Sequence, residues 1–229
     1  MNPLCDLGNS FGKSLFKPSP HPRRAMMLPK AGRRPQLLCA LMALGLFLGM
    51  AGQAKAQYIY TTIDVPGSTF TEAFGINDFG QIVGRYGDGV RTHGFLLDQG
   101  IYTTIDVPGA TFTQAFGINH SGEIVGYYVA TGTGTGHGFL LHKGIYTAIN
   151  APGSIFTQAF GINDSGQIVG DYSAVGMFHG FLLDKGIFTA IDPAGSTFTL
   201  AFGINKSGQI VGFYIAGGTF HGFLATHVK

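Results

Sequence analysis

The stretch FTQAFGINHSGEIVG, residues 112–126, is one of four closely similar copies in this chain. Its centre, Ala-Phe-Gly-Ile-Asn, begins at Ala73, Ala115, Ala159 and Ala201, so that successive copies start 42, 44 and 42 residues apart. Three further motifs recur with it, T-[TA]-I-[DN], G-[QE]-I-V-G and HGFL, each in four copies. A period of this size indicates a repeat architecture in which every unit is one supersecondary element.

Each unit contains four short segments with strand character. The first resembles Ile101–Asp106, which is rich in β-branched and aromatic residues and ends near a Pro-Gly turn. The AFGIN, IVG and HGFL segments follow, separated by turn-forming Asn and Gly. Strict alternation along Phe112–Asn119 would place Phe112, Phe116 and Ile118 on one face of the strand. The units predicted from the sequence are about 59–100, 101–144, 145–186 and 187–229.

Four antiparallel strands per unit predict an all-β, β-propeller-like fold of four units. The last HGFL strand has no following Ile-Tyr-Thr strand, and the first such strand, at Ile59, has no preceding HGFL strand. We therefore expect these two strands to pair and close a ring, which would remove two sheet edges. The alternatives are an open β-solenoid or a sandwich.

The repeat also resembles a known family. The strings H-G-F-L-L-x-x-G-I-[YF]-T and A-F-G-I-N-x-x-G-x-I-V-G-x-Y are similar to the HAF repeat of predicted extracellular bacterial proteins, and they cover essentially residues 59–225. The chain differs in having Gly for the central Ala of HAF and in lacking the Trp often found after that motif. The resemblance implies an extracytoplasmic repeat protein of unassigned biochemical role and transfers no catalytic residues.

Residues 1–56 predict a signal peptide. Arg33 and Arg34 precede an apolar run of 14 residues at 37–50, which is shorter than the roughly 20 helical residues that span a bilayer. Ala54-Lys-Ala56 is a small-x-small cleavage signal, so the mature chain would begin at Gln57 in the periplasm or outside the cell. An uncleaved anchor is the alternative, and the export route, Sec or twin-arginine, stays open.

The composition of the remaining chain excludes several classes of function. The first 57 residues hold eight of the 14 Lys and Arg but one of the 12 acidic residues, which leaves 6 basic and 11 acidic residues and a charge of −5. A mildly acidic body does not favour nucleic acid binding. Both cysteines, Cys5 and Cys39, lie in the signal segment, so the mature chain would contain no disulfide.

Three groups of residues are candidates for a site. The repeated histidines could bind a metal if they converged, although hydrogen bonding within each unit is the simpler interpretation; they are His93, His137, His179 and His221. The N-x-x-G turns carry Asp78 and Asp164 in two units, where calcium could bind. A candidate ligand loop contains Arg85, Asp88 and Arg91, all specific to the first unit.

The sequence contains no Ser nucleophile elbow, zinc protease motif or phosphate-binding loop. We therefore expect an exported, non-enzymatic scaffold, monomeric or homodimeric, that binds a protein or glycan partner, with no cofactor and no stable membrane span. The alternative is a secreted carbohydrate-active enzyme of propeller fold. Its acids would be among the residues specific to single units: Glu72, Asp88, Glu123 and Asp171.

Overall fold

The computed structural model describes residues 58–227, and all of its regular structure is β. No helix among these residues has the length and apolar character needed to cross a membrane. The predicted signal peptide, its cleavage site and both cysteines lie outside the described residues.

Fifteen strands form one sheet, and they group into four units. The first unit contains β1 (Phe70–Ile76), β2 (Ile82–Gly87), β3 (Thr92–Asp98) and β4 (Ile101–Ile105). The second contains β5 (Ala110–Ile118), β6 (Ile124–Ala130), β7 (Gly136–His142) and β8 (Ile145–Ile149). The third contains β9 (Phe156–Ile162), β10 (Ile168–Ala174), β11 (Met177–Asp184) and β12 (Ile187–Ile191). The fourth contains β13 (Phe198–Ile204), β14 (Ile210–Ala216) and β15 (Thr219–Ala225).

Within a unit the strands form an antiparallel meander, in the order β1-β2-β3-β4 for the first. The AFGIN strand begins each meander and the Ile-[Tyr/Phe]-Thr strand ends it, so each structural unit starts one strand later than the unit predicted from the sequence. Backbone pairing between consecutive units is limited to one parallel bridge per junction, such as that of Thr92 with Phe112. The all-β, propeller-like fold predicted from the repeat is confirmed.

A β-bulge interrupts the AFGIN strand in every unit. In β5 the register shifts between Ala115 and Gly117, so that Phe116 is the additional residue. The expectation of strict alternation is therefore wrong: Ile118 joins Ala115 in one hydrophobic cluster, because the bulge changes the face of every residue after it. Similar shifts occur in β1, β9 and β13.

The hydrophobic core lies between consecutive units. Val83 of the first unit packs with Ala115 and Ile124 of the second, and all three are almost completely buried. The next two junctions repeat this arrangement, with Val125 against Ala159 and Val169 against Ala201. Fully burying a side chain of this size is worth ~1.5–3 kcal/mol. Burial at these junctions therefore holds neighbouring units against each other.

The expected ring closure does not occur in the described part of the chain. The sheet is open, β15 pairs with β14 alone, and the segment at Ile59 forms no strand. Ile59 and Tyr60 are each 91% exposed. Because Ile59–Asp64 forms no strand, nothing in residues 58–227 is available to pair with the free edge of β15.

The buried hydroxyl of Thr199 has lost the hydrogen bond that its counterparts make, because the turn proline of the fourth unit lies one position earlier than in the other units. In the first three units a strand threonine accepts a hydrogen bond from the amide six residues earlier, as Thr157 Oγ1 does from Ala151 N at 3.2 Å. In the fourth unit the equivalent donor position is Pro193, which has no amide hydrogen. Thr199 is fully buried, and its Oγ1 has no partner among the described residues.

We expect Thr199→Val to leave the free energy of unfolding unchanged or to raise it by up to about 1 kcal/mol, since it removes an unsatisfied buried hydroxyl. Thr157→Val is the matched control and should lower it by about 1–2 kcal/mol, because the buried Ala151 amide loses its acceptor. Urea denaturation of both variants measures the difference. Equal losses of stability in the two variants would contradict this account.

Candidate functional site

A ladder of asparagines organises one end of every unit. Asn77 Oδ1 accepts hydrogen bonds from the amides of Phe79 and Gln81, both at 3.1 Å, and closes the N-x-x-G turn. Its Nδ2 donates to Asn119 O of the next unit at 3.1 Å. The same bond joins Asn119 to Asn163 at 3.2 Å and Asn163 to Asn205 at 3.1 Å. The four turns are thereby held side by side.

The second residue of each turn faces a shared groove of about 190 Å³. These residues are Asp78, His120, Asp164 and Lys206, and they differ in charge from unit to unit. Asparagine side chains and isoleucines complete the groove lining. The repeat keeps the turn constant and varies the groove-facing side chain, which is how a repeat protein builds an asymmetric surface on a regular frame.

Three of the four groove-facing residues are in contact with one another. Asp164 Oδ1 accepts a hydrogen bond from the His120 amide at 2.9 Å, and His120 Nδ1 lies 3.7 Å from Asp78 Oδ2. The ring of Phe79, which is 65% exposed, lies 4.2 Å from the His120 ring. The groove-facing residues thus combine two carboxylates, an imidazole and an ammonium group, and the exposed Phe79 ring lies beside the groove and not in its lining.

The four repeated histidines lie one per unit on the HGFL strands. His93 Nδ1 lies 2.9 Å from Asp106, His137 Nδ1 lies 2.7 Å from Asn150, and His179 Nδ1 lies 2.8 Å from Asp192. Each of these bonds joins the HGFL strand to the end of the following strand of the same unit. Within residues 58–227 no group of three or more His, Cys, Asp or Glu side chains is arranged to hold a metal ion.

The predicted ligand loop is divided between two places. Arg85 lies on β2, where its Nε donates to Glu72 at 2.7 Å and its Nη1 donates to Gln114 of the second unit at 3.0 Å. Asp88 and Arg91 lie in the β2–β3 turn. Arg91, but not Arg85, lines a separate open pocket of about 410 Å³ with Phe70 and Phe112.

Asp88 is used to hold its own turn. Its Oδ1 accepts the amides of Val90 and Arg91 at 2.7 Å, and its Oδ2 lies 3.1 Å from His93 Nε2. The two amides, followed by His93, hold the pKa of Asp88 well below its ordinary value. Burial alone would lower the pKa of His93, but the hydrogen bonds to Asp106 and Asp88 outweigh it and raise that pKa.

Asp171 is the one strongly buried carboxyl group among the described residues. It occupies the position on β10 that Arg85 occupies on β2, and it is 1% exposed. Its Oδ1 has no hydrogen-bond partner in residues 58–227. Burial raises the pKa of Asp171 to about 7. Asp171 lies apart from the groove residues of the turns, so these two groups form no common site.

A side-chain pair between the G-[QE]-I-V-G and HGFL motifs of one unit was not predicted from the sequence, because the two residues lie in different motifs. Gln81 Nε2 donates to Asp98 at 2.8 Å, and the third unit repeats this bond. In the second unit both residues change together, and His142 Nδ1 lies 3.2 Å from Glu123. Comparing the four units position by position would have found this joint exchange of donor and acceptor.

The comparisons with known proteins support the fold class. No family model matches the chain, and no curated protein matches it. The fold is that of a β-propeller-like repeat protein. TolB from Acinetobacter baumannii, a propeller protein, superimposes with a TM-score of 0.54 at 14% identity over 67% of this chain and 40% of TolB.

A structural-genomics target described as a candidate gluconolactonase covers 67% of this chain and 57% of its own length, at 16% identity and a TM-score of 0.35. With respect to TolB, the chain spans about two fifths of that protein's length. The resemblance to HAF repeats stays a prediction.

The environment of Asp171 predicts a measurable pH dependence. The pKa of Asp171 is higher in the folded than in the unfolded protein. At any pH between these two pKa values, folding is therefore accompanied by the uptake of a proton. The free energy of unfolding should therefore fall as the pH rises from about 4 to about 7, and then level off. Asp171→Asn should remove this part of the dependence and stabilise the protein at pH 8 by ~2–4 kcal/mol.

Chemical denaturation across this pH range measures the effect, and Asp78→Asn, at an exposed carboxyl, is the control. Parallel curves for wild type and Asp171→Asn would show that Asp171 titrates normally.

Proposed function

We propose that this protein is an exported, non-enzymatic binding module that takes a glycan in the groove formed by its four N-x-x-G turns. The supporting observation is the groove itself, where a constant asparagine ladder presents four different side chains. Export is supported by the features of residues 1–56 described above.

The chemistry of the groove favours a hydroxyl-rich ligand. Two carboxylates, one lysine and one histidine provide donors and acceptors with little net charge, while the ladder occupies the turn asparagine side chains. Sugar hydroxyls both donate and accept hydrogen bonds, so they match such a mixed surface. Beside the groove, next to His120, Phe79 carries an exposed aromatic ring of the kind that packs against the apolar face of a sugar ring.

An enzyme of propeller fold is not favoured. Asp164 already accepts the His120 amide. The buried Asp171 lies on β10, outside this groove. We accordingly assign the groove carboxylates to binding.

Binding should depend on the groove. With neutral oligosaccharides on a glycan array and in calorimetry, Lys206→Ala should weaken binding by at least about tenfold, because a charge-assisted hydrogen bond is lost. Arg91→Ala, in the other pocket, is the matched control and should bind like wild type. Loss of binding in Arg91→Ala alone would move the site to the β2–β3 turn. Binding of protein ligands but no glycan would overturn the ligand class.

Export is tested separately. When the full chain is expressed in a bacterium with a periplasm, we expect the processed protein to begin at Gln57 and to be recovered outside the cytoplasm. Intact mass and N-terminal sequencing measure the cleavage site. A cytoplasmic product that retains residues 1–56 would contradict the proposal without affecting the groove.

A further inference from the structure

The two terminal units each expose one half of an interface that the chain builds three times internally. Val83, Val125 and Val169 are 0% exposed because the next unit covers them, whereas Val211 of the fourth unit is 50% exposed. On the opposite side, Ala73 of the first unit is exposed. Its three counterparts are 0% exposed: Ala115, Ala159 and Ala201.

We call these surfaces the head face (Ile63, Ala73, Ile76 and Ile82) and the tail face (Gly203, Val211 and Leu224). Each contains an open hollow, of about 250 Å³ on the head face and about 270 Å³ on the tail face. In the first internal junction Val83 and Leu96, the equivalents of Val211 and Leu224, pack with the equivalents of the four head-face residues, which are Ile105, Ala115, Ile118 and Ile124. The two faces are therefore the two apolar halves of the junction that the chain repeats internally.

Hydrogen bonding is also incomplete at both faces. In the internal units the asparagine side chain donates to the next asparagine carbonyl, but Asn205 Nδ2 has only Gln209 as a partner among the described residues. At the other end, the Asn77 carbonyl receives no asparagine side chain in the described residues. One further bond, from Asn205 Nδ2 to an Asn77 carbonyl, would continue the ladder.

The histidine pairs end in the same way. His93, His137 and His179 each pair with the Asp or Asn that lies 13 residues later. In residues 58–227 His221 has no such partner, whereas Asp64, at the equivalent position before the first unit, is exposed. The edge of β15 beside His221 is likewise without a neighbouring strand in residues 58–227.

Gly203 lies on the tail face, where its three counterparts are covered by the backbone of the next unit. A Cβ atom on Gly75, Gly117 or Gly161 would lie 2.6–2.9 Å from a phenylalanine carbonyl of the next unit. A Cβ on Gly203 would meet only Val211, at 3.3 Å. The glycine therefore serves no close approach within the described chain, although its three counterparts do.

We propose that the tail face binds the head face of a second copy of this chain, in a head-to-tail contact that reproduces the internal junction. The second copy's Ile59–Asp64 segment would pair with β15 and place Asp64 beside His221. The chain's own head face does not supply this contact, because the sheet is open. A second copy carries the same complementary surface, and head-to-tail contacts of this kind form rings when the rotation closes.

The test uses two single variants of the purified protein in sedimentation velocity and light scattering over a wide range of concentration. Gly203→Leu should block the tail face, since its side chain would meet the partner's backbone, and Ala73→Glu should place a charge on the head face. Each variant alone should be monomeric, with association weakened by at least about tenfold. Ser121→Leu, in an exposed turn, is the control and should assemble like wild type.

Mixing the two variants provides the decisive measurement. Gly203→Leu keeps an intact head face and Ala73→Glu keeps an intact tail face, so the mixture should form a 1:1 dimer through one remaining contact. A wild-type protein that is monomeric at every concentration would overturn the proposal. Assembly of either single variant on its own would also overturn the proposal. So would a mixture in which the two variants do not associate although circular dichroism shows both to be folded.

Discussion

The structure depends on the close approach of each AFGIN strand to the corresponding strand of the next unit. Gly117 makes this approach possible, because its missing Cβ is the space that the Phe160 carbonyl nearly occupies. The asparagine ladder fixes the same spacing at the end of the strands. Valine, alanine and isoleucine then fill the volume between the units. Backbone contact, polar ladder and apolar core therefore all have the same period.

This arrangement separates the residues that hold the units together from those that differ between units in the groove. The residues that hold the units together are almost the same in every copy, whereas the groove-facing residues change from acid to histidine to lysine. A substitution at Asp78 or Lys206 alters a solvated side chain and leaves the ladder in place. The frame can thus hold different side chains at fixed positions, which is the property that a binding surface requires.

The sequence predicts the four-stranded unit correctly, because period, turn residues and strand composition are local properties. It does not predict the bulge at Phe116, since strict alternation and a bulge use the same residues. The ring closure expected for Ile59 was wrong: its segment has the composition of a strand, but a strand also needs a neighbour, and this segment forms none in residues 58–227. For the site, the sequence drew attention to Asp78 and Asp164 as calcium ligands. It could not show that the asparagine ladder brings them together with His120 and Lys206.

The identity of the junctions has a consequence for how such a chain changes in length. Because every unit presents the same two faces, a duplicated segment of 42 or 44 residues would find matching neighbours wherever it was inserted in phase. Deleting a whole unit would likewise leave two compatible surfaces facing each other. Gene duplication and loss can therefore add or remove groove positions in single steps, and the repertoire of surfaces can expand without any redesign of the core.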